Sequence, residues 1–196
     1  MKVICAYLRM PYDPPKPAPA PDPERERKAA LRAARRRYQA ARAGITLPAE
    51  PAPQKETGDR EGELQVRLTA QRILSAHLGD ERPAGQRSTH PAAPAFWEGM
   101  SLDLTGATLI DFRLIVGSVT TAIFSKATFI GDTWLTKAVF ANGAWFDGAT
   151  FAGDARFDKA TFTEYSFNGA VVIDPEAAHV WPDGLRLEKT PEGSSA

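Results

Sequence analysis

The amino-acid sequence predicts a mainly β solenoid, a chain coiled in short extended faces, preceded by α-helical segments and Pro-rich linkers. Three observations support this fold class. A motif of about five residues recurs from residue 101 onward. Leucines follow one another at helical spacing between residues 61 and 79. Proline alternates with small or charged residues over 11–23, a composition typical of an extended spacer.

The first 60 residues are predicted to form a helix end, a Pro-rich linker and a basic helix, partly disordered. Residues 23–44 contain eight basic and two acidic side chains, with Pro23 in the first turn and Gly44 as a stop signal. The apolar residues of this segment are mostly alanine, so it offers little area to bury, and a short helix without packing is marginal in water. A second linker is expected over residues 45–59.

Residues 61–98 are predicted to form a helix and an N-terminal cap for the repeats. Gly79 ends the helix, and Phe96 and Trp97 follow a polar connection. The ends of a solenoid expose apolar surface, which a cap has to cover. The leucines of the expected apolar face are Leu64, Leu68, Leu74 and Leu78.

From residue 101 onward a small residue stands two positions before a large apolar centre, in units such as GATLI, KATFI and GATFA. Alternate side chains of an extended segment point the same way, so both positions face inward. A period near five is too short for a hairpin or for a strand plus helix, so a coiled ribbon with short faces remains. The predicted structural core consists of Phe124, Phe129, Leu135, Phe140, Phe146, Phe151, Phe157, Phe162 and Phe167.

These units resemble the pentapeptide-repeat family, whose pattern places a small residue, any residue, then Leu or Phe in successive units. The resemblance covers residues 101–173 and implies a right-handed quadrilateral β-helix of about 3.5 coils, with four five-residue faces per coil. The segments ICAYLRMPY (4–12), RLTAQRILSAHL (67–78) and DLTGATLIDF (103–112) resemble a bacterial subgroup with a helical N-terminal region. Members of that subgroup have a further helical region before the first of these segments, so the chain is expected to be a shortened product of a longer protein.

The resemblance completes the predicted domain division. The β-helix occupies residues 99–176, and residues 177–196 form a C-terminal tail that covers or extends from the far end. Four centres per coil stack every fourth centre on one face, for example Leu109, Phe129 and Phe151. Three six-residue steps are interpreted as bulges at corners, with permissive backbone supplied by Gly131, Gly143 and Gly153.

One outward-facing region has an unusual composition. The stacking places a column of aspartates, Asp111, Asp132 and Asp154, beside a column formed by Arg113, Trp134 and Arg156. One interpretation is a solvent face on which arginines neutralise the aspartates. The other is a protein-binding patch anchored by the tryptophan, because Trp and Arg are favoured at binding hot spots. Calcium on the aspartates is a third interpretation, but the repeat lacks a Gly-rich ligand loop.

No catalytic, cofactor-binding or metal-binding residue is predicted. His77, His90 and His179 are far apart in the sequence, and no metal-ligand spacing, nucleophile motif or phosphate-binding loop is present. Cys5, the single cysteine, cannot form an internal disulfide and is expected to be a small buried side chain. The absence of a long apolar run and of a signal-peptide pattern, together with the single cysteine, favours a cytoplasmic protein.

The preferred hypothesis is a non-enzymatic protein–protein interaction or scaffold module of unknown target and unknown oligomeric state. An alternative follows from the resemblance: some pentapeptide-repeat proteins mimic DNA and bind DNA gyrase or topoisomerase IV. Such mimicry needs a long acidic rod, whereas residues 101–174 hold only eight acidic and five basic residues. A further alternative is that the basic segment from Arg25 to Arg42 binds nucleic acid or an anionic membrane surface, although the 24 basic and 24 acidic residues of the whole chain balance.

Overall fold

The computed structural model describes residues 1–15, 55–82, 86–87, 89–182 and 185, with isolated helical positions between 27 and 42. Two compact units are present, Met1–Tyr12 with Gln65–Ala196, and Asp13–Leu64. The division differs from the predicted segment 1–60, because residues 1–12 belong to the same unit as the repeats. Most of the Pro-rich linker, the basic helix and the C-terminal tail lies outside the described residues.

Two helices have described boundaries. Helix α1 covers Lys2–Leu8, and helix α2 covers Lys55–Leu78. Helix α2 thus begins six residues before the predicted helix, within the segment that was expected to be a linker. The spacing of apolar residues reveals only the part of a helix that packs against other structure. Residues such as Lys and Glu also favour helix, so a helix can continue beyond its apolar positions.

The repeat region forms a β-solenoid of about three turns built from short parallel strands. Every strand pair in the described chain is parallel. The strands are β1 (Ser101–Asp103), β2 (Thr108–Ile110), β3 (Ser118–Ile123), β4 (Thr128–Ile130), β5 (Thr133–Trp134), β6 (Val139–Trp145), β7 (Thr150–Phe151), β8 (Ala155–Arg156), β9 (Thr161–Phe162), β10 (Tyr165–Ser166) and β11 (Val171–Val172).

The predicted stacking of the centres is confirmed by the strand register. The first face consists of β2, β4, β7 and β11, in which Leu109 pairs with Phe129 and Phe129 with Phe151. The second face consists of β5 and β8. Strands β3 and β6 turn a corner and contribute to both the third and the fourth face, with β9 on the third and β1 and β10 on the fourth.

Stacked phenylalanines fill the interior of the coil. The ring centroids of Phe129 and Phe151 lie 4.8 Å apart and those of Phe140 and Phe162 lie 4.9 Å apart, both nearly parallel. These spacings match the distance between strands, so each ring continues the column of the turn below it. All nine predicted core residues contribute to the core, although Phe162 is only partly buried.

Phe112 is a core residue that the repeat pattern did not reveal. It occupies a position where the other turns have a small residue, yet it is 1% exposed and contacts Phe124 and Phe129. The first turn has Leu or Val at its four centres where later turns mostly have Phe. The larger side chain of Phe112 fills the volume that these smaller centres leave, as close packing requires.

Glycines at the irregular corners serve two different purposes. A register shift in the β3–β6 pair confirms a bulge in β6, where Gly143 has a φ of 146°. Gly131 has a φ of 70°, which a side chain would strain. Gly153 was expected to supply permissive backbone, but its φ is not positive; a Cβ there would lie 2.6 Å from the carbonyl oxygen of Gly131. Close approach of two turns therefore explains Gly153.

We expect Gly153→Ala to lower the free energy of unfolding by about 1–3 kcal/mol, because the methyl group would meet backbone that cannot move aside. Gly62→Ala, in helix α2, is the matched control, since nothing lies within 4 Å of its Cβ position. That substitution should be neutral or stabilising by about 1 kcal/mol through helix propensity. Urea denaturation measures the free energy of unfolding of both variants. Equal effects would contradict the explanation that Gly153 is required by the close approach of two turns.

Helix α2 lies against the first turn of the coil. Leu74 and Leu78 are fully buried in the same cluster as the repeat centres. The side-chain amide of Gln71 donates to the carbonyl oxygen of Ile110 at 2.8 Å and accepts from its N–H at 2.9 Å. Gln71 thus substitutes for the missing neighbouring strand at the edge of β2, whose polar groups would otherwise be unpaired.

Helix α1 is held by Arg67 of helix α2. The Arg67 side chain is 1% exposed and donates to the carbonyl oxygens of Leu8 at 3.1 Å and Met10 at 2.9 Å. Its guanidinium group also lies over the ring of Tyr12, with 4.4 Å between the Cζ atom and the ring centroid. These contacts satisfy carbonyl groups that the end of helix α1 leaves unpaired.

At the far end of the coil, Trp181 packs on the last aromatic rings. Its ring lies 5.4 Å from Phe151 and 5.5 Å from Phe157 between centroids. Val180 forms a parallel bridge with Arg156, so the described start of the C-terminal tail continues the second face. The His179 ring stacks on Trp181 at 5.1 Å and accepts a hydrogen bond from the N–H of Ala155.

Candidate interaction surface

The second face carries the column of Arg113, Trp134 and Arg156, which we call the Arg–Trp–Arg ladder. Trp134 pairs with Arg156 in the β5–β8 ladder and forms a parallel bridge with Arg113. The Cζ atoms of Arg113 and Arg156 lie 5.6 and 4.9 Å from the indole centroid. Both arginines therefore make cation–π contacts that restrict their side chains.

The three aspartates occupy the corner before the ladder, which we call the Asp corner. Asp111 Oδ1 accepts a hydrogen bond from the N–H of Asp132 at 3.1 Å, and Asp154 Oδ1 accepts one from Ala178 at 2.9 Å. Within the described chain, no ion pair joins these carboxylates to Arg113 or Arg156. Backbone N–H groups of the next turn, rather than the arginines, are the hydrogen-bond partners of Asp111 and Asp154 in this part of the chain.

A second corner follows the ladder and contains Lys137 and Lys159, which we call the Lys corner. Both lysines are exposed, and both adopt left-handed backbone, with φ angles of 57° and 55°. The N–H of Lys137 donates to the carbonyl oxygen of Asp158 in the next turn at 2.8 Å. The second face is thus bordered by carboxylates on one side and by ammonium groups on the other.

A groove of about 660 Å³ begins beside the ladder, between helix α2 and the first turn. Arg113 belongs to both the groove and the ladder. Repeat periodicity could not have revealed the groove, because its far wall is a helix whose position depends on buried contacts. The lining residues are Leu68, Gln71, Arg72, Ser75, Ala76, Ile110, Asp111 and Arg113.

His77, His90 and Cys5 lie apart from this surface, whereas His179 accepts a hydrogen bond from Ala155, next to Arg156. His77 stacks on Trp97, with 4.2 Å between ring centroids, and bonds to the carbonyl oxygen of Ala95. His90 is exposed, and its ring bonds to the Thr89 hydroxyl. Cys5 is buried, and burial raises the pKa of its thiol. The described residues contain no group of three or more His, Cys, Asp or Glu side chains that could hold a metal ion.

Two carboxylates near the N-terminal end of the coil have pKa values below the ordinary range. Hydrogen bonding by Arg82 lowers the pKa of Asp80, whose carboxylate also pairs with Arg87. Hydrogen bonding by Thr105 lowers the pKa of Asp103, which also pairs with Arg9 of the chain start. The pairs of Asp80 lie within the connection after α2, whereas the pair of Arg9 with Asp103 joins the residue after α1 to strand β1.

Comparison with known protein families identifies part of the repeat region. The family described as pentapeptide repeats (9 copies) matches residues 120–171. No curated protein and no solved structure matches the chain at a significant level. In the part of the chain that the structure describes, no helix combines the length and apolar character needed to cross a membrane.

Proposed function

We propose that this chain, whose residues 120–171 match the pentapeptide-repeat family, is a non-enzymatic protein–protein interaction module whose contact surface is the second face of its coil. The observation that carries the proposal is the Arg–Trp–Arg ladder, in which a half-buried tryptophan lies between two guanidinium groups. Trp and Arg are the side chains most enriched at binding hot spots. The Asp corner (Asp111, Asp132 and Asp154) forms the polar border of the same surface.

The groove beside the ladder supports this proposal. It opens next to Arg113 and has apolar residues in its lining, such as Leu68 and Ile110. An apolar side chain of a partner placed there would lose contact with water, which stabilises a complex. The ladder and the groove together form one continuous contact surface with a polar and an apolar part.

The remaining chain then has a supporting role. We propose that residues 61–98 cap the first turn, and that the start of the tail, with Trp181, covers the last one. A cytoplasmic location agrees with a single thiol that is buried, because such a thiol is poorly placed to form a disulfide. Neither a cofactor nor a metal ion is part of the proposal.

The two alternatives have less support. A DNA-mimicking inhibitor or protector of gyrase would need a long acidic rod, whereas this coil has about three turns, and four of its cations lie on and beside the second face. The described positions of the basic segment, between residues 27 and 42, are helical and exposed. Exposure of basic side chains is equally expected of a solvated helix, so it does not favour nucleic acid or a membrane.

The test is affinity capture from host lysate with the full chain as bait. A triple variant, Arg113→Ala, Trp134→Ala and Arg156→Ala, should lose the captured partner while keeping its circular dichroism and cooperative unfolding. Trp145→Ala is the matched control, because Trp145 is a half-buried outward tryptophan on the fourth face. It should retain the partner. Capture that survives the triple variant, or no specific partner for the native chain, would contradict the proposal.

A further inference from the structure

We infer that the second face binds an acidic peptide segment of its partner, an inference that rests on the proposed function. Three features of the face carry it: guanidinium groups that bind no carboxylate, a separation of charge across the face, and the spacing between the two arginines.

The first feature is the unused hydrogen-bonding capacity of the ladder. Among the described residues, neither Arg113 nor Arg156 donates from its side chain to a carboxylate. The Arg156 Nε atom has no hydrogen-bond partner but is shielded from solvent, so it is not among the donors that a partner could use. A guanidinium group has five N–H donors in a planar fork that matches a carboxylate. Because the Trp134 ring already restricts both side chains, less conformational freedom is lost when they bind an anion.

The second feature is the distribution of charge. Of the five cations in residues 101–174, four lie in the ladder and the Lys corner, and the fifth is Lys126. One carboxylate, Asp158, stands among these four cations, and the Asp corner runs along the opposite border. The acidic residues of a partner are therefore attracted toward the Lys corner and repelled from the Asp corner. This charge separation determines on which side of the ladder the acidic residues of the peptide lie.

The third feature is the spacing. Arg113 and Arg156 are two turns apart, roughly 9.6 Å at the usual strand separation. About three residues of an extended peptide span this distance. A nucleic acid would fit less well, because its continuous phosphate charge would lie against the Asp corner, whereas a peptide can place neutral residues there.

The probe is a fluorescein-labelled dodecapeptide of four Glu-Gly-Ser repeats, with a Gln-Gly-Ser counterpart, titrated with the full chain and followed by fluorescence anisotropy. We expect the Glu peptide to bind, the Gln peptide not to bind, and added salt to weaken binding. Equal binding of the two peptides, no binding of either at millimolar concentration, or tighter binding of an oligothymidine of equal length would overturn the inference.

Variants locate the site. Arg113→Gln with Arg156→Gln should raise the Kd by about tenfold or more, the effect of losing a charged hydrogen bond. Lys2→Gln with Lys126→Gln removes the same charge from exposed positions elsewhere and should change the Kd little. Asp132→Asn should tighten binding by roughly two- to fivefold, since its carboxylate makes no hydrogen bond among the described residues. A weaker or unchanged affinity of the Asp132→Asn variant would contradict the inference that the Asp corner repels the acidic peptide.

The outcome separates this inference from the proposed function. If lysate capture depends on the ladder but neither peptide binds, the interaction module stands and the acidic partner is rejected. If no partner is captured, the proposed function fails whatever the peptides do. Arg156→Lys adds a distinction: it keeps the charge but loses the planar fork, so binding should weaken if guanidinium geometry matters.

Discussion

Phe146→Ala is expected to lower the free energy of unfolding by about 3–5 kcal/mol, the usual cost of removing a buried aromatic ring. Phe146 is fully buried, and its ring stacks between those of Phe124 and Phe167, at centroid distances of 4.9 and 4.5 Å. The substitution would leave a cavity in the middle of a column that rigid strands hold at fixed spacing. The surrounding turns cannot collapse into it, so we expect the upper part of the cost range.

The matched control is Phe162→Ala, the same change at a partly buried position of the third face. The Phe162 ring has a stacked neighbour, Phe140, on one side only, because β9 is the last strand of that face in the described chain. Guanidinium denaturation should show a clearly smaller loss for this variant. An equal loss at the two positions would mean that the stacked column does not dominate stability.

Leu74→Glu with Leu78→Glu is expected to detach helix α2 from the coil and cause aggregation. Both side chains are fully buried against the first turn, and burying an unpaired carboxylate costs several kcal/mol. Detachment would expose the apolar interior and the edge of β2, which Gln71 otherwise satisfies. Exposed strand edges of this kind pair with other chains. Size-exclusion chromatography with light scattering would detect the resulting assemblies.

The control places the same charges on exposed positions of the same helix. Val66 and Ile73 are 54% and 38% exposed, so Val66→Glu with Ile73→Glu should leave the protein monodisperse with a similar unfolding midpoint. A soluble, monomeric protein for both pairs would show that residues 61–98 do not act as a cap. Aggregation of both would instead point to helix stability as the cause.

The sequence alone was sufficient for the coil and for the placement of its core. An extended segment presents alternate residues to one side, so a period of five with small and large residues two apart specifies which side chains enter the interior. The columns of Phe129 with Phe151 and of Phe140 with Phe162 followed directly. The repeat period also predicted that Arg113, Trp134 and Arg156 are neighbours, because residues at equivalent positions in successive turns stack.

Only the tertiary structure decided what those stacked residues bond to. Periodicity places Asp111 beside Arg113, but whether the carboxylate pairs with arginine or with a backbone N–H depends on corner geometry. The burial of Phe112 depends on the size of the first-turn centres, and the close approach at Gly153 depends on the distance between two turns. The groove depends on where helix α2 lies, which buried leucines and Gln71 fix. Local pattern determines which way a side chain points, whereas its partners are set by atoms that are distant in sequence.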